Sequence, residues 1–478
     1  MDKSTKNKLK HYPYRYLTLT LILVGLFFLP FNSYEGVPFL GEFAQESCFL
    51  FFALALLFEG FKIILTQKIS IPWKHPIFIL LLAVLFWFLL SYFFNFLDIQ
   101  DYYIKKTTGN NRFIRQYGAL IISALILYLT YYNVFKSFSI DRLFIIIRKV
   151  FLYSFIVVSI YTLIEISIVY LKLSFLEPFI KLFDYFPFTE VWLDYKNQRL
   201  SSVSYAPPVF GIYLMTIAGW MFSYIITHKS LFKFLPSILI VLFAILSDSR
   251  SVLVMVGFQL LIFSLYFIKK RKYHKNLIKV GFLVTVISIP ILLLKGPAIG
   301  EFITDKVTSF DLEESKHSVS NKSRLGMIYT SGLIFLENPI KGVGFGMQAY
   351  AARPLYPKWA TEDNWEFEQK YLNDNYKTFP PNYNVYTRLL AETGIIGFFL
   401  FAIFVFILIY VSYKKIGSKD KSSIYYIVLL VSFVGYAINW LQVDTFRVFG
   451  FWICLALFTI LTQNKIIFGK KHIKSCVD

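Results

Sequence analysis

The hydrophobic positions of this chain gather into long runs separated by polar stretches. Runs able to cross about 30 Å of hydrocarbon as a helix fall at 16–32, 48–66, 76–97, 117–135, 150–171, 206–226, 234–247, 252–268, 278–295, 394–413, 424–441 and 447–463. The seventh is the shortest. The pattern predicts an all-α integral membrane protein of about twelve transmembrane helices. No small-residue cleavage site follows Pro30, so Leu17–Phe31 is expected to be a retained span and not a signal peptide.

One interruption is far longer than the rest, residues 296–393. It divides the chain into a membrane domain over 1–295, a large loop over 296–393, and three spans with a tail over 394–478. Inside the loop, Arg324–Glu337 (RLGMIYTSGLIFLE) has helical length and stops at Asn338-Pro339. A glycine turn follows at Gly342–Gly346. Asn382–Glu392 (NYNVYTRLLAE) forms a second short helix ending at Thr393-Gly394, directly before the tenth span. The glycine turn lacks a preceding strand, a GK[ST] and a full GxGxxG, so it is expected to be a plain turn and not a phosphate loop.

Composition agrees with a membrane solvent: 56% of residues are hydrophobic and 16% charged, where soluble domains carry about 25% charged. The net charge of +20 would fit nucleic acid until it is mapped onto the spans. With the N-terminus inside, the inner segments hold 27 Lys and Arg against four acids, while the outer ones hold 21 basic and 23 acidic residues. That is the positive-inside signature. It places both termini in the cytoplasm and the 296–393 loop outside, with no nucleic-acid partner. One loop dissents: residues 98–116 carry Lys105, Lys106, Arg112 and Arg115 on the outer side. Cys48, Cys454 and Cys476 show no CxxC spacing, so no disulfide framework or zinc site is expected.

The arginines carry candidate chemistry. Arg250 sits in Ser247–Ser251 (SDSRS), a tight outer turn between two spans, where a charge near hydrocarbon is expensive. Arg199, in Lys196-Asn-Gln-Arg, and Arg324 fall at the same membrane face. Guanidiniums bond phosphate oxygens bidentately, so three at one interface suit a diphosphate; lipid headgroups are the other reading.

Three stretches resemble the O-antigen ligase and polymerase superfamily of bacterial membrane glycosyltransferases. Leu246–Leu253 (LSDSRSVL) is similar to that family's Ser-Arg turn. Ser323-Arg-Leu followed by Glu337–Gly346 (ENPIKGVGFG) is similar to its loop helix and Pro-x-x-Gly-x-Gly turn. Asn384–Gly397 (NVYTRLLAETGIIG) is similar to its entry into the next span. Gln198-Arg199 before Pro207-Pro208 is a weaker fourth likeness. The resemblance implies transfer of a glycan from an undecaprenyl-diphosphate carrier to a glycan or glycolipid acceptor, with no cofactor and no metal. By it, Arg250 and Arg324 hold and stabilise the leaving diphosphate, Arg199 assists substrate binding, and Tyr383–Asn384 meets the acceptor. Lipid A core ligases carry a histidine where this chain has Tyr383, and a phenol of pKa near 10 is a poor base at neutral pH. Five of the six histidines fall inside, leaving only His317 outside. The departure favours polymerase over lipid A ligase chemistry. A multi-span polysaccharide or lipid transporter is the alternative; it would show repeats and mid-span acids, and only Glu59 and Glu165 stand in spans.

Overall fold

A computed structural model describes residues 12–269, 318–416 and 422–471. The apolar runs become α1 (Tyr12–Phe27), α2 (Ser47–Thr66), α3 (Pro76–Phe94), α4 (Gly109–Phe135), α5 (Ile140–Val169), α6 (Pro207–Thr227), α7 (Leu235–Leu246), α8 (Arg250–Lys269), α10 (Val385–Lys415), α11 (Ser423–Asn439) and α12 (Phe449–Lys471), with α9 (Ser318–Glu337) inside the large loop. Seven of these, α2 to α6, α8 and α10, are long and apolar enough to cross a membrane; the apolar parts of α1, α7, α11 and α12 are shorter. The ninth run, 278–295, lies outside the described residues, as do His317 and Cys476.

Burial sorts the helices. In α2 only 28% of the apolar window is covered, and Leu57, Phe61 and Ile64 point outward, whereas α6 is 78% covered and packs against α5, α7, α8 and α11. Polar side chains tie this centre together: buried Gln259 of α8 donates to the carbonyls of Met215 in α6 and Val431 in α11, at 3.0 and 3.1 Å. Such interhelical bonds act where no hydrophobic force distinguishes lipid from protein.

A glycine joint fixes the large loop to the bundle. α10 breaks at Gly394, whose φ is +65°. The Gly342 turn packs directly on this break: Val343 N donates to Ala391 O, Gly344 N to Glu392 O, and Ile395 N to Pro339 O, at 2.8–2.9 Å. Gly342 also has φ +65°, and a Cβ there would sit 2.4 Å from Glu392 C, while one on Gly394 would sit 2.1 Å from Ile340 O. Only glycine satisfies both the left-handed backbone and the contact. Side chains of α3 brace the joint: Trp87 donates to Thr393 O, Asn95 to Gly342 O, and Ser91 Oγ accepts from Phe345 N. The glycine turn is therefore a docking joint.

The dissenting cations of 98–116 also find a physical account. Residues 103–108 form a small hairpin, and buried Lys105 donates to the carbonyls of Lys370, Asn373 and Tyr376 at 2.6–2.8 Å. Arg115 pairs with Glu42. Lys105 thus ties the hairpin to the large loop, and Arg115 ties the start of α4 to the segment around Glu42.

Candidate functional site

Arg250 opens α8, just after a turn in which Asp248 takes φ +53°. Its Nη2 donates to Asn321 Oδ1 at 2.8 Å, which couples α8 to α9. Arg324, nearly one turn beyond Asn321, lies over the Tyr383 ring, Cζ 4.9 Å from the centroid. Between α8, α9 and α11 is a cavity of about 380 Å³. Arg250, Arg324, Asn321 and Gln442 form its polar wall, and Val254, Met255, Leu325, Ile438 and Leu441 its apolar wall; among the described residues no carboxylate lines it.

The third arginine joins the other two. Asn197 N donates to Asp194 Oδ1, closing a turn whose bridge pairs Asp194 with Arg199. Burial, opposed by Asp194 and reinforced by Arg324, holds the Arg199 guanidinium below the ordinary arginine range. Arg250 feels the positive charge of both Arg324 and Arg199. The Nε atoms of Arg199 and Arg324 are buried without a hydrogen-bond partner among the described residues. Three cations that repel one another in a half-buried recess cost stability unless an anion joins them.

Tyr383 has φ +58°, uncommon for a residue with a side chain. Its hydroxyl bonds that of Tyr371 at 2.8 Å. Burial raises its phenol above the ordinary value, so even less phenolate is present at neutral pH to accept a proton. Asn384 is the N-cap of α10: its Oδ1 accepts from Tyr386 N and Thr387 N at 2.9 and 3.2 Å. The acceptor side of that amide is engaged in holding the helix start.

α9 begins already at Ser318, before the expected Arg324. Its first turns are polar, so no apolar period marks them, yet Asn321 and Ser323 are buried against Arg250 and Asn364. Sequence reasoning also passed over Glu366 and Tyr371. Glu366 exerts its charge on both Tyr371 and Tyr383, and its Oε2 is buried with no hydrogen-bond partner among the described residues. A second arginine group was passed over too. Arg388 pairs with Glu392 at 3.1 Å and donates to Asp444 O, while Arg447 and Arg115 share Glu42 at 2.8 and 2.9 Å. Arg112 stacks on Phe379. Among the described residues, no three His, Cys, Asp or Glu side chains gather as a metal-holding group.

The loop helix and the Ser-Arg turn thus meet at the cavity, and the glycine joint holds the same loop to α10. Residues 235–402 match the family model for O-antigen ligase. No curated protein matches the chain. The O-antigen ligase match bears out the resemblance seen in the three motifs, and it covers Arg250, Arg324, Glu366, Tyr383 and Asn384. Arg199, Arg112 and Arg447 fall outside it, although the structure brings each to one of the two arginine groups. The match supports a likeness to O-antigen ligases of polysaccharide biosynthesis over 235–402, and the apolar helices support a multi-pass membrane protein.

Proposed function

We propose that this protein is a glycosyltransferase of O-antigen ligase type that takes a glycan from an undecaprenyl-diphosphate carrier and passes it to a glycan or glycolipid acceptor, polymerising instead of ligating to lipid A. The observation that carries the reading is the cavity in which Arg250 and Arg324 face an apolar wall. A diphosphate on a long hydrocarbon needs both surfaces. The arginines neutralise the diphosphate as it leaves, the work a metal ion does in other transferases. Arg199 adds a third cation. Tyr383 positions the acceptor, and Glu366, whose charge reaches both tyrosines, takes the acceptor proton. Electron flow then runs from the acceptor oxygen to the anomeric carbon and from the broken C–O bond to the diphosphate.

The supporting topology is twelve spans divided as 1–295, 296–393 and 394–478, with both termini cytoplasmic and the loop outside a bacterial cytoplasmic membrane. Cysteines introduced at Asn373 and Ser137 test it. The first should react with an impermeant maleimide in intact cells or spheroplasts, the second only after lysis; the reverse pattern overturns the orientation.

The transporter reading loses its main support. Glu59 pairs with Lys62, and Glu165 accepts from Ser201 N and Ser202 N, so both span acids serve internal contacts. Purified protein given carrier-linked oligosaccharide should release undecaprenyl diphosphate and lengthen the glycan. Movement of intact carrier lipid across reconstituted vesicles, with no bond cleaved, would instead mark a transporter.

A further inference from the structure

At the opposite end of the bundle from the arginine cavity, the starts of α1 and α5 meet the ends of α2 and α4. Two cavities lie there, of about 170 and 230 Å³. They share Arg15 and Ser137. Arg142 completes the charge of the first; Lys62, Lys68 and Lys136 line the second. Among the described residues no carboxylate lines either. Lys62 is answered by Glu59 at 2.5 Å, and Asp141 by the Tyr425 hydroxyl. Arg15, Lys68, Lys136 and Arg142 have no carboxylate within ion-pairing distance among the described residues.

The walls are built, not merely charged. Asn133 clamps Ser70 from both sides, accepting from its N–H at 2.8 Å and donating to its carbonyl at 3.0 Å. Lys136 donates to Ser70 Oγ at 2.7 Å. Arg142 rests on the Tyr16 ring, 5.5 Å from its centroid. Arg15 Nε is buried with no hydrogen-bond partner among the described residues. Beside the groove, Leu17, Ile64, Leu65 and Ile69 expose 42–74% of their surface. A cationic recess flanked by bare apolar side chains matches a molecule with an anionic phosphodiester head and hydrocarbon tails.

We infer that this groove binds the headgroup of an anionic phospholipid, its phosphodiester on Arg15 between Arg142 and Lys136 and its acyl chains along α1 and α2. The positive-inside pattern puts this end at the cytoplasmic leaflet, where anionic lipid concentrates and each basic residue near the surface strengthens attraction. The proposal is independent of the transferase reading, since none of its residues belongs to the arginine cavity.

Native mass spectrometry of the detergent-purified, delipidated full-length protein tests it, with phosphatidylglycerol and phosphatidylcholine as probes. Wild type should retain phosphatidylglycerol over phosphatidylcholine, and Arg15→Gln and Arg142→Gln should each cut that preference by about fivefold. Arg15→Lys should keep most of it, and Lys229→Gln, a cation that lines neither cavity, all of it. The unfolding midpoint of every variant is recorded beside binding, so the lysine variant carries the test if Arg15→Gln fails to fold. Equal retention of the two lipids, or a preference unchanged in Arg15→Gln, overturns the site. Loss of phosphatidylglycerol to excess inorganic phosphate would show a free-phosphate site and overturn the lipid assignment.

Discussion

Two groups of arginines stand on the same side of this molecule, and their surroundings differ. In the group formed by Arg388, Arg447 and Arg115, each guanidinium meets a carboxylate: Glu392 for the first and Glu42 for the other two. In the group formed by Arg199, Arg250 and Arg324, the cations repel one another, Asp194 acts on Arg199, and among the described residues no carboxylate lines the cavity beside them. The first group holds the start of α10 to the loop that carries Asp444 and to the segment around Glu42. The second holds space. Charge paired with a carboxylate across elements marks structure, and cations gathered against one another at a cavity mark where a ligand of the opposite sign would be favoured. The chain's arginines therefore divide by their partners, and residue type and membrane face alone do not separate them.

Substitutions in the two groups should separate function from stability. Arg250→Lys and Arg324→Lys keep the charge and lose the bidentate fork. Each is expected to abolish polymer formation while membrane abundance and unfolding midpoint stay near wild type. Near-full activity in both would reduce these residues to general charge. Glu366→Gln is the next largest effect: a positioned base contributes about 10²–10⁴-fold, and turnover should fall within that range with the fold intact. Glu366→Gln with wild-type turnover would place the base elsewhere. In the matched group the expected loss has the other character. Arg388→Leu leaves Glu392 buried without its partner, a change worth about 3–5 kcal/mol. Its unfolding midpoint should drop, and residual activity should follow the folded fraction. A normal midpoint with lost activity would move Arg388 into the substrate site.

Much of this was legible along the chain because its signals are local. Apolar runs of span length need no partner to be recognised, and those within the described residues all fall on helices. The Ser-Arg turn, the loop helix with its glycine turn, and the entry into the next span were legible as motifs, and the structure shows why the last two carry glycine: Gly342 and Gly394 meet at one joint. What stayed hidden depends on distance in sequence. Glu42 and Arg447 are separated by 405 positions and Arg388 and Gln116 by 272. No periodicity connects such pairs. Glu366 was equally hidden, since one acid in a polar loop carries no pattern until folding sets it beside two tyrosines. The cations of 98–116 dissented from the charge pattern for the converse reason: a count of charges cannot tell a lysine capped by three carbonyls from one facing solvent.

The smallest effects fall between the two groups, at Tyr383 and Asn384, and they decide what the missing histidine means. If Tyr383 only positions the acceptor, Tyr383→Phe removes one hydroxyl bond to Tyr371 and keeps the ring under Arg324. Activity should remain within about tenfold of wild type, below the range of a lost general base. Asn384→Ala should do worse, because the structure commits its Oδ1 to Tyr386 N and Thr387 N. Loss of such a cap costs about 0.5–2 kcal/mol, and it loosens the helix start that presents Tyr383. Serine at this position separates capping from substrate contact, since its hydroxyl can cap but cannot replace the amide. Asn384→Ser should therefore recover both the unfolding midpoint and the activity. Recovery of the midpoint alone would put the amide on the sugar. A Tyr383→Phe variant that folds normally but is as inactive as Arg324→Lys would make the tyrosine the proton carrier and remove that role from Glu366.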